Sequence, residues 1–300
     1  MIPKTLHYVF GMASDSGGKP WSLVHYACVK SAIERIKPKD VLFYCEYEPR
    51  GPWWELTRSM VDLHKIQGPR EIFGNPLVHP AHRADVVRLE RLIDSGGIYL
   101  DADVFVHRSF DDLLSNSVVL GKQVLNKVDF GLCNAVILSE PHSPFLTRWL
   151  AEYRNFRSQG RDEFWDEHSV RIPLWLARQF PEELTIMPHR SFFWPTFQPE
   201  DVELMYDSTA EADVSSTFAT HLWESVVWER YLEFLTPVRV RSIDSNFHRW
   251  VRPFVASLPN DLGGPGIRDR LVLAARAIRG QIRSVMPAWV VQLKHQLTRN

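Results

Sequence analysis

Arg83-Ala84-Asp85-Val86-Val87-Arg88-Leu89, then Gly96-Gly97-Ile98-Tyr99-Leu100-Asp101-Ala102-Asp103-Val104, is the stretch on which the fold of this chain turns. Its first half reads as a helix over 82–95. Val86, Leu89 and Ile93 recur at three-to-four spacing, and so do Asp85, Arg88 and Leu92. Gly96-Gly97 supplies the helix stop. Ile98-Tyr99-Leu100 follows as a short buried strand, and two carboxylates follow at once. Alternate residues of an extended segment point the same way, so Asp101 and Asp103 can face one point. Two hard oxygen ligands on one side suit Mg²⁺ or Mn²⁺, which keep water and accept phosphate oxygens as further ligands. The carboxyl end of a strand is also where open α/β sheets bind ligands.

An acid-x-acid pair alone decides nothing, because the chain has four: Glu46/Glu48, Asp101/Asp103, Asp201/Glu203 and Glu211/Asp213. Only Asp101/Asp103 has a helix, a Gly-Gly stop and an apolar strand before it. Outward from this centre, strands and helices alternate. Leu6 to Phe10 is strand-like and closed by Gly11; 21–37 reads as a helix ended by Pro38; Val41 to Cys45 is a second strand. Val118–Leu120 and Ala135–Leu138 are further strand candidates, 145–157 and 170–180 read as helices, and 192–200 is an aromatic, proline-rich loop. The pattern predicts an α/β fold, a Rossmann-type mixed, mainly parallel sheet flanked by helices.

The 300 residues are 45% hydrophobic and 24% charged, enough for a sizeable core. The net charge of −1 excludes a chain-wide binder of nucleic acid. That average hides a split. Residues 261–300 hold seven Lys/Arg against two Asp, so the tail carries +5 and the rest −6. Within the tail, Ile267, Leu271, Ala274, Ile278, Ile282 and Val285 share one helical face, with Arg276, Arg279 and Arg283 roughly opposite. Such a helix either packs on the body with a solvated face or lies on an anionic membrane through 267–285. The expected division is therefore a catalytic body, 1–260, and a basic amphipathic helical tail, 261–300. Cys28, Cys45 and Cys133 are widely spaced and form no CxxC pair, so buried thiols are expected. The N-terminal stretch has no long apolar run, and no segment reaches roughly 18 uncharged apolar residues, so a cytoplasmic protein is expected.

The segments Arg83 to Leu89 and Gly96 to Val104 resemble the DXD core of a glycosyltransferase family. That family includes outer-chain mannosyltransferases, α-1,4-galactosyltransferases and capsular-polysaccharide enzymes, and it is more distantly similar to glucosylating toxins. The resemblance implies a GT-A-like fold, a nucleotide-sugar donor, Mn²⁺ or Mg²⁺, and retention of anomeric configuration. It implies that Asp101 and Asp103 hold the metal, that Asp85 meets donor-sugar hydroxyls, and that Arg88 meets the sugar or phosphate. Without it, Asp85 and Arg88 are an i,i+3 ion pair.

His7-Tyr8-Val9-Phe10-Gly11 resembles the family's opening strand, which puts Phe10 on the nucleotide base with His7 and Tyr8 beside it; a core role serves these residues equally. Asn134-Ala135 resembles the element beside the donor sugar, with a turn as the other reading, and Asp129 nearby is a candidate to face the acceptor. His221-Leu222-Trp223-Glu224-Ser225 resembles the family's C-terminal motif, in which His221 completes the metal site while Trp223 and Ser225 meet the donor. Ser225 stands one position early for that motif. His79 and His82 are spaced as a metal pair, but Pro80 between them marks a helix start.

These readings point to a metal-dependent retaining glycosyltransferase. Its donor is a UDP-sugar ahead of GDP-mannose, and its acceptor a glycan or lipid-linked saccharide in surface-polysaccharide synthesis. Two alternatives stay open. One is a haloacid-dehalogenase-like phosphatase or phosphotransferase using Asp101 as nucleophile, against which stand Phe105 and the position of the pair well inside the chain. The other is a non-catalytic module that binds sugar nucleotides.

Overall fold

Apolar runs bounded by Gly and Pro become the strands, and the three-to-four-spaced runs between them become the helices. The computed structural model describes residues 1–15 and 19–264. Its strands are β1 (Thr5–Val9), β2 (Asp40–Cys45), β3 (Asp62–Lys65), β4 (Glu71–Ile72), β5 (Asn75–Pro76), β6 (Gly97–Leu100), β7 (Val104–Val106), β8 (Val118–Leu125), β9 (Val128–Ser139), β10 (Thr185–Met187) and β11 (Ala219–His221). The helices are α1 (Leu23–Ile36), α2 (Pro52–Arg58), α3 (Pro80–Ser95), α4 (Pro144–Ala151), α5 (Ile172–Gln179), α6 (Pro199–Tyr206), α7 (Glu224–Val227), α8 (Pro237–Ser242) and α9 (Asn246–Val255).

Seven strands form one sheet in the order β10-β8-β9-β6-β1-β2-β3. Its pairs are parallel except the two that β9 makes with β8 and β6. The sheet is thus mixed and mainly parallel, as the alternation of elements predicts. Its two faces carry separate cores. On β1, Leu6 and Tyr8 enter the core shared with α1 and α9, whereas Val9 enters the core shared with α3, α4 and α5. Ile98 and Leu100 of β6 join the first and Tyr99 the second.

The segment that opened the sequence reading folds as its pattern requires. α3 begins two residues earlier than expected, with Pro80 at its first position and the His79 side chain accepting from Ala81 N–H. It ends at Ser95, and Gly96 (φ 65°) and Gly97 (φ 120°) turn the chain into β6. At Gly97 a Cβ would sit 2.7 Å from both His7 Nε2 and Thr5 O, so glycine is required for close approach as well as for backbone conformation.

Several expectations need correction. The 145–157 helix is α4 continued by a 3₁₀ turn at Glu152–Asn155. The 170–180 helix is a π-helical turn at Glu167–Arg171 followed by α5. The 135–138 strand is part of a twelve-residue strand, β9, hairpinned with β8. The 192–200 loop gives way to α6 at Pro199. β7 and β11 pair antiparallel as a second, small sheet that periodicity did not signal. Residues 1–263 form one compact unit. The helix expected over 267–285 lies outside the described residues. Among the described residues no helix is long and apolar enough to cross a membrane. Cys28, Cys45 and Cys133 are buried free thiols.

Candidate active site

Asp101 and Asp103 flank a tight turn between β6 and β7, closed by Val104 N–H donating to Asp101 O at 3.0 Å. Asp101 N–H donates to Ala135 O, which ties the turn to β9. The pairing of β7 with β11 sets His221 opposite Val104 and so beside Asp103. His221 Nε2 lies 3.2 Å from Asp103 Oδ2, and Glu224 N–H donates to the same oxygen at 2.9 Å. Asp101, Asp103 and His221 each bring one ligand atom within 4.8 Å of the others. Two carboxylate oxygens and an imidazole nitrogen suit Mn²⁺. His221 Nδ1 is buried without a hydrogen-bond partner, so the tautomer is not pinned from behind. The residues present therefore fit a divalent ion.

Arg88 organises the other side. It lies 3.1 Å from Asp101 Oδ1 and 3.2 Å from Asp85 Oδ1, donates to Asn134 O at 2.9 Å, and stacks over Tyr99 at 4.3 Å. Asn134 Nδ2 donates to Asp85 Oδ1 at 2.7 Å, and Tyr99 OH donates to Asp101 Oδ1 at 2.6 Å. Burial is the largest influence on both acids of the pair. At Asp101 it prevails over Arg88 and raises the carboxyl above its ordinary range. At Asp103 the charge and hydrogen bond of His221 outweigh it, and the carboxyl is held well below that range. His221 is buried too, which alone would lower it, but Asp103 raises it.

These groups open into a cleft of about 330 Å³. Its lining includes Phe10, Arg88, Asp101 to Asp103 and Ser225. Phe10 is set edge-on to Trp21 at 5.0 Å and to His25 at 5.2 Å. Asp85 and Asn134 are buried behind Arg88, and Asn134 lies inside β9 rather than at a turn.

Of the remaining candidates only His79 lines the cleft. His7 and Tyr8 are fully buried in β1; His7 Nε2–H donates to Gly96 O at 2.9 Å, and Tyr8 faces the α1 core. Trp223 is buried behind His221, ring to ring at 4.2 Å, with its Nε1–H donating to Pro195 O. Asp129 lies near the outer end of the β8–β9 hairpin, half-exposed and paired with Lys122 at 2.6 Å. His79 and His82 pack their rings on Trp165.

Sequence reasoning missed Lys19, His25, Glu224, Arg161 and Trp165, all of which line the cleft. His25 accepts from Ser22 N–H at Nδ1, and its Nε2 lies 3.0 Å from Glu224 Oε1; Lys19 Nζ lies 3.5 Å from Glu224 Oε2. Of these only Glu224 stood within a motif that could have flagged it.

Residues 25–120 match the family described as a glycosyltransferase sugar-binding region containing a DXD motif. The chain is 39% identical over 265 residues to Glucan organizing enzyme 1 of Cryptococcus neoformans, covering 85% of this chain and 71% of that protein. It is 29% identical over 164 residues to an uncharacterized Arabidopsis thaliana protein, covering 49% of this chain and 25% of the plant one. Its fold is similar to the apo structure of the bifunctional glycosyltransferase WbbM, with a TM-score of 0.50 at 12% identity over 86% of this chain and 50% of that one. The chain belongs to the DXD-containing glycosyltransferases and has their GT-A-type α/β fold. That membership sets aside the phosphotransferase reading of Asp101.

Proposed function

We propose that this glycosyltransferase moves a hexosyl group from a nucleotide-sugar to a glycan acceptor, with Mn²⁺ or Mg²⁺ held by Asp101, Asp103 and His221. The observation that carries the reading is the convergence of those three side chains within 4.8 Å, in the same cleft as Arg88. When bound, the metal supplies Lewis-acid neutralisation of the departing diphosphate. Arg88 is charged and fixed by Asp85, Asp101 and the Ala84 and Asn134 carbonyls, which leaves one N–H to meet the donor without reorganisation. Lys19 adds a second cation to the cleft lining, restrained by Glu224. Phe10 is the ring available to a base, and the donor of this reading is a UDP-sugar ahead of GDP-mannose.

Retention through same-face attack fits the engaged state of both acids. Asp101 Oδ1 is taken up by Tyr99 and Arg88, and Asp103 Oδ2 by His221 and Glu224 N–H, and in this reading the other oxygen of each serves the metal rather than attacking the sugar. The relative's name associates that protein with glucan, which supports a glucan as the acceptor class here. A cytoplasmic placement, with the basic residues of 261–300 at an anionic membrane surface, belongs to the same reading and is supported by composition alone. Liposome flotation with and without 261–300 tests it.

Thermal melting with UDP, GDP and their sugars, with and without Mn²⁺, tests the site. A ligand at 100 times its Kd adds about 2.7 kcal/mol of stability. A metal-dependent rise with one donor, absent in Asp103→Asn, is the expected result; no rise with any donor contradicts the reading.

A further inference from the structure

The cleft lining holds two groups of different chemistry. Lys19 and His25 meet Glu224, whose N–H donates to Asp103; Arg161 and Trp165 lie by the start of α3, where Trp165 meets His79. Trp165 is partly exposed, yet its indole is fixed. It packs edge-on against His79 at 4.7 Å and tilted against His82 at 4.8 Å, while its carbonyl faces His82 Nε2 at 3.3 Å. Its segment is pinned by Asp162, which accepts from Ser158 Oγ, Gln159 N–H and Phe164 N–H. Arg161 is exposed, its guanidinium 5.7 Å from the Trp165 ring centre. Among the described residues it has no carboxylate partner, unlike Arg88 and Lys19, which are both restrained by acids.

We propose that Trp165 and Arg161 form the acceptor subsite: one pyranose ring of the acceptor glycan packs its C–H face on the Trp165 indole, and Arg161 donates to its hydroxyls. An oriented aromatic face takes up the apolar side of a sugar, and an uncommitted planar guanidinium offers several donors to its polar edge. The assignment is to the acceptor rather than the donor because the buried charged groups Asp85, Arg88 and Asp103 gather around the metal site, whereas Arg161 is exposed and Trp165 partly so. The inference rests on the glycosyltransferase reading above and deepens it.

Saturation-transfer NMR on the full chain with UDP and Mn²⁺ tests it, using laminaritriose, maltotriose and mannotriose as probes. At least one trisaccharide should receive saturation at its ring protons. Trp165→Ala and Arg161→Ala should each weaken that binding about tenfold, and Trp165→Phe should largely restore it. Arg161→Ala, at an exposed position, separates binding from folding. The Kd for UDP, measured by calorimetry, should stay within about threefold in every variant. Undiminished saccharide binding in Trp165→Ala, or no saccharide binding while UDP binds, overturns the subsite alone. A matching loss of UDP affinity in Trp165→Ala moves the residue to the donor side and also overturns it. Failure of wild type to bind any nucleotide defeats the glycosyltransferase reading and this inference with it.

Discussion

His221 Nε2 lies 3.2 Å from Asp103 Oδ2, across the antiparallel pairing of β11 with β7. A residue far along the chain is thereby made a neighbour of the acidic pair. In Asp103→Asn the charge that draws His221 is lost, while an amide oxygen can still accept from Glu224 N–H. The fold should persist. Release of nucleoside diphosphate should fall about 10²–10³-fold in kcat, the scale of losing one electrostatic group at a reacting centre. Circular dichroism checks the first point and a coupled diphosphate assay the second.

Arg88 is buried between Asp85 and Asp101, so its removal strands the buried Asp85 and the partly exposed Asp101. Arg88→Leu should cost about 3–5 kcal/mol of stability. Asn134→Ala removes one hydrogen bond to the Asp85 carboxylate and should cost about 1.5–3 kcal/mol. Urea unfolding of the two variants should rank them in that order.

Gly97→Ala tests the turn that aims the acidic pair. The added methyl meets Thr5 O and His7 Nε2 at 2.7 Å in a left-handed backbone region. Backbone strain of this kind costs on the order of 1–3 kcal/mol before the clash is counted. Calorimetric melting should show a fall of several degrees.

Much of this centre is legible in the sequence because it is local. The period of α3, the Gly-Gly stop and the apolar Ile98-Tyr99-Leu100 are all set within about 25 residues. Strand alternation and burial explain the readings that moved. His7 and Tyr8 lie inside β1, where one side chain enters each face of a covered sheet, so neither reaches the cleft. Asn134, for which a turn was the other reading, sits in a long strand whose pairing with β8 and β6 is non-local. Arg161 and Trp165 lie in an irregular segment without periodicity. Only packing against His79 and His82 brings them to the cleft, and no spacing rule carries that information.

Buried histidines make the protein acid-sensitive. Burial is the main cause that depresses His7 and His248 to about 4 and His107 to about 3. Each is neutral in the folded chain near neutrality, whereas the unfolded chain takes up a proton below about 6.5. Because the folded value is the lower one, stability is full above pH 6.5 and lost as pH falls from there toward 4. Each group contributes about 2–4 kcal/mol to that loss. His107→Gln can still donate to Thr220 Oγ1 and removes one such proton. Its melting temperature should fall less steeply than wild type between pH 6.5 and 4.

The central claim is metal-dependent glycosyl transfer at Asp101, Asp103 and His221, and turnover tests it most directly. Wild-type protein, Mn²⁺, a panel of UDP-sugars and GDP-mannose, and a gluco-oligosaccharide acceptor are incubated, and nucleoside diphosphate and glycosylated product are quantified together. The account predicts equimolar release and transfer with one donor, abolished by EDTA and reduced about 10²–10³-fold in Asp103→Asn. Turnover that is unchanged by EDTA and by Asp103→Asn, or no turnover of any donor by wild type, would contradict it.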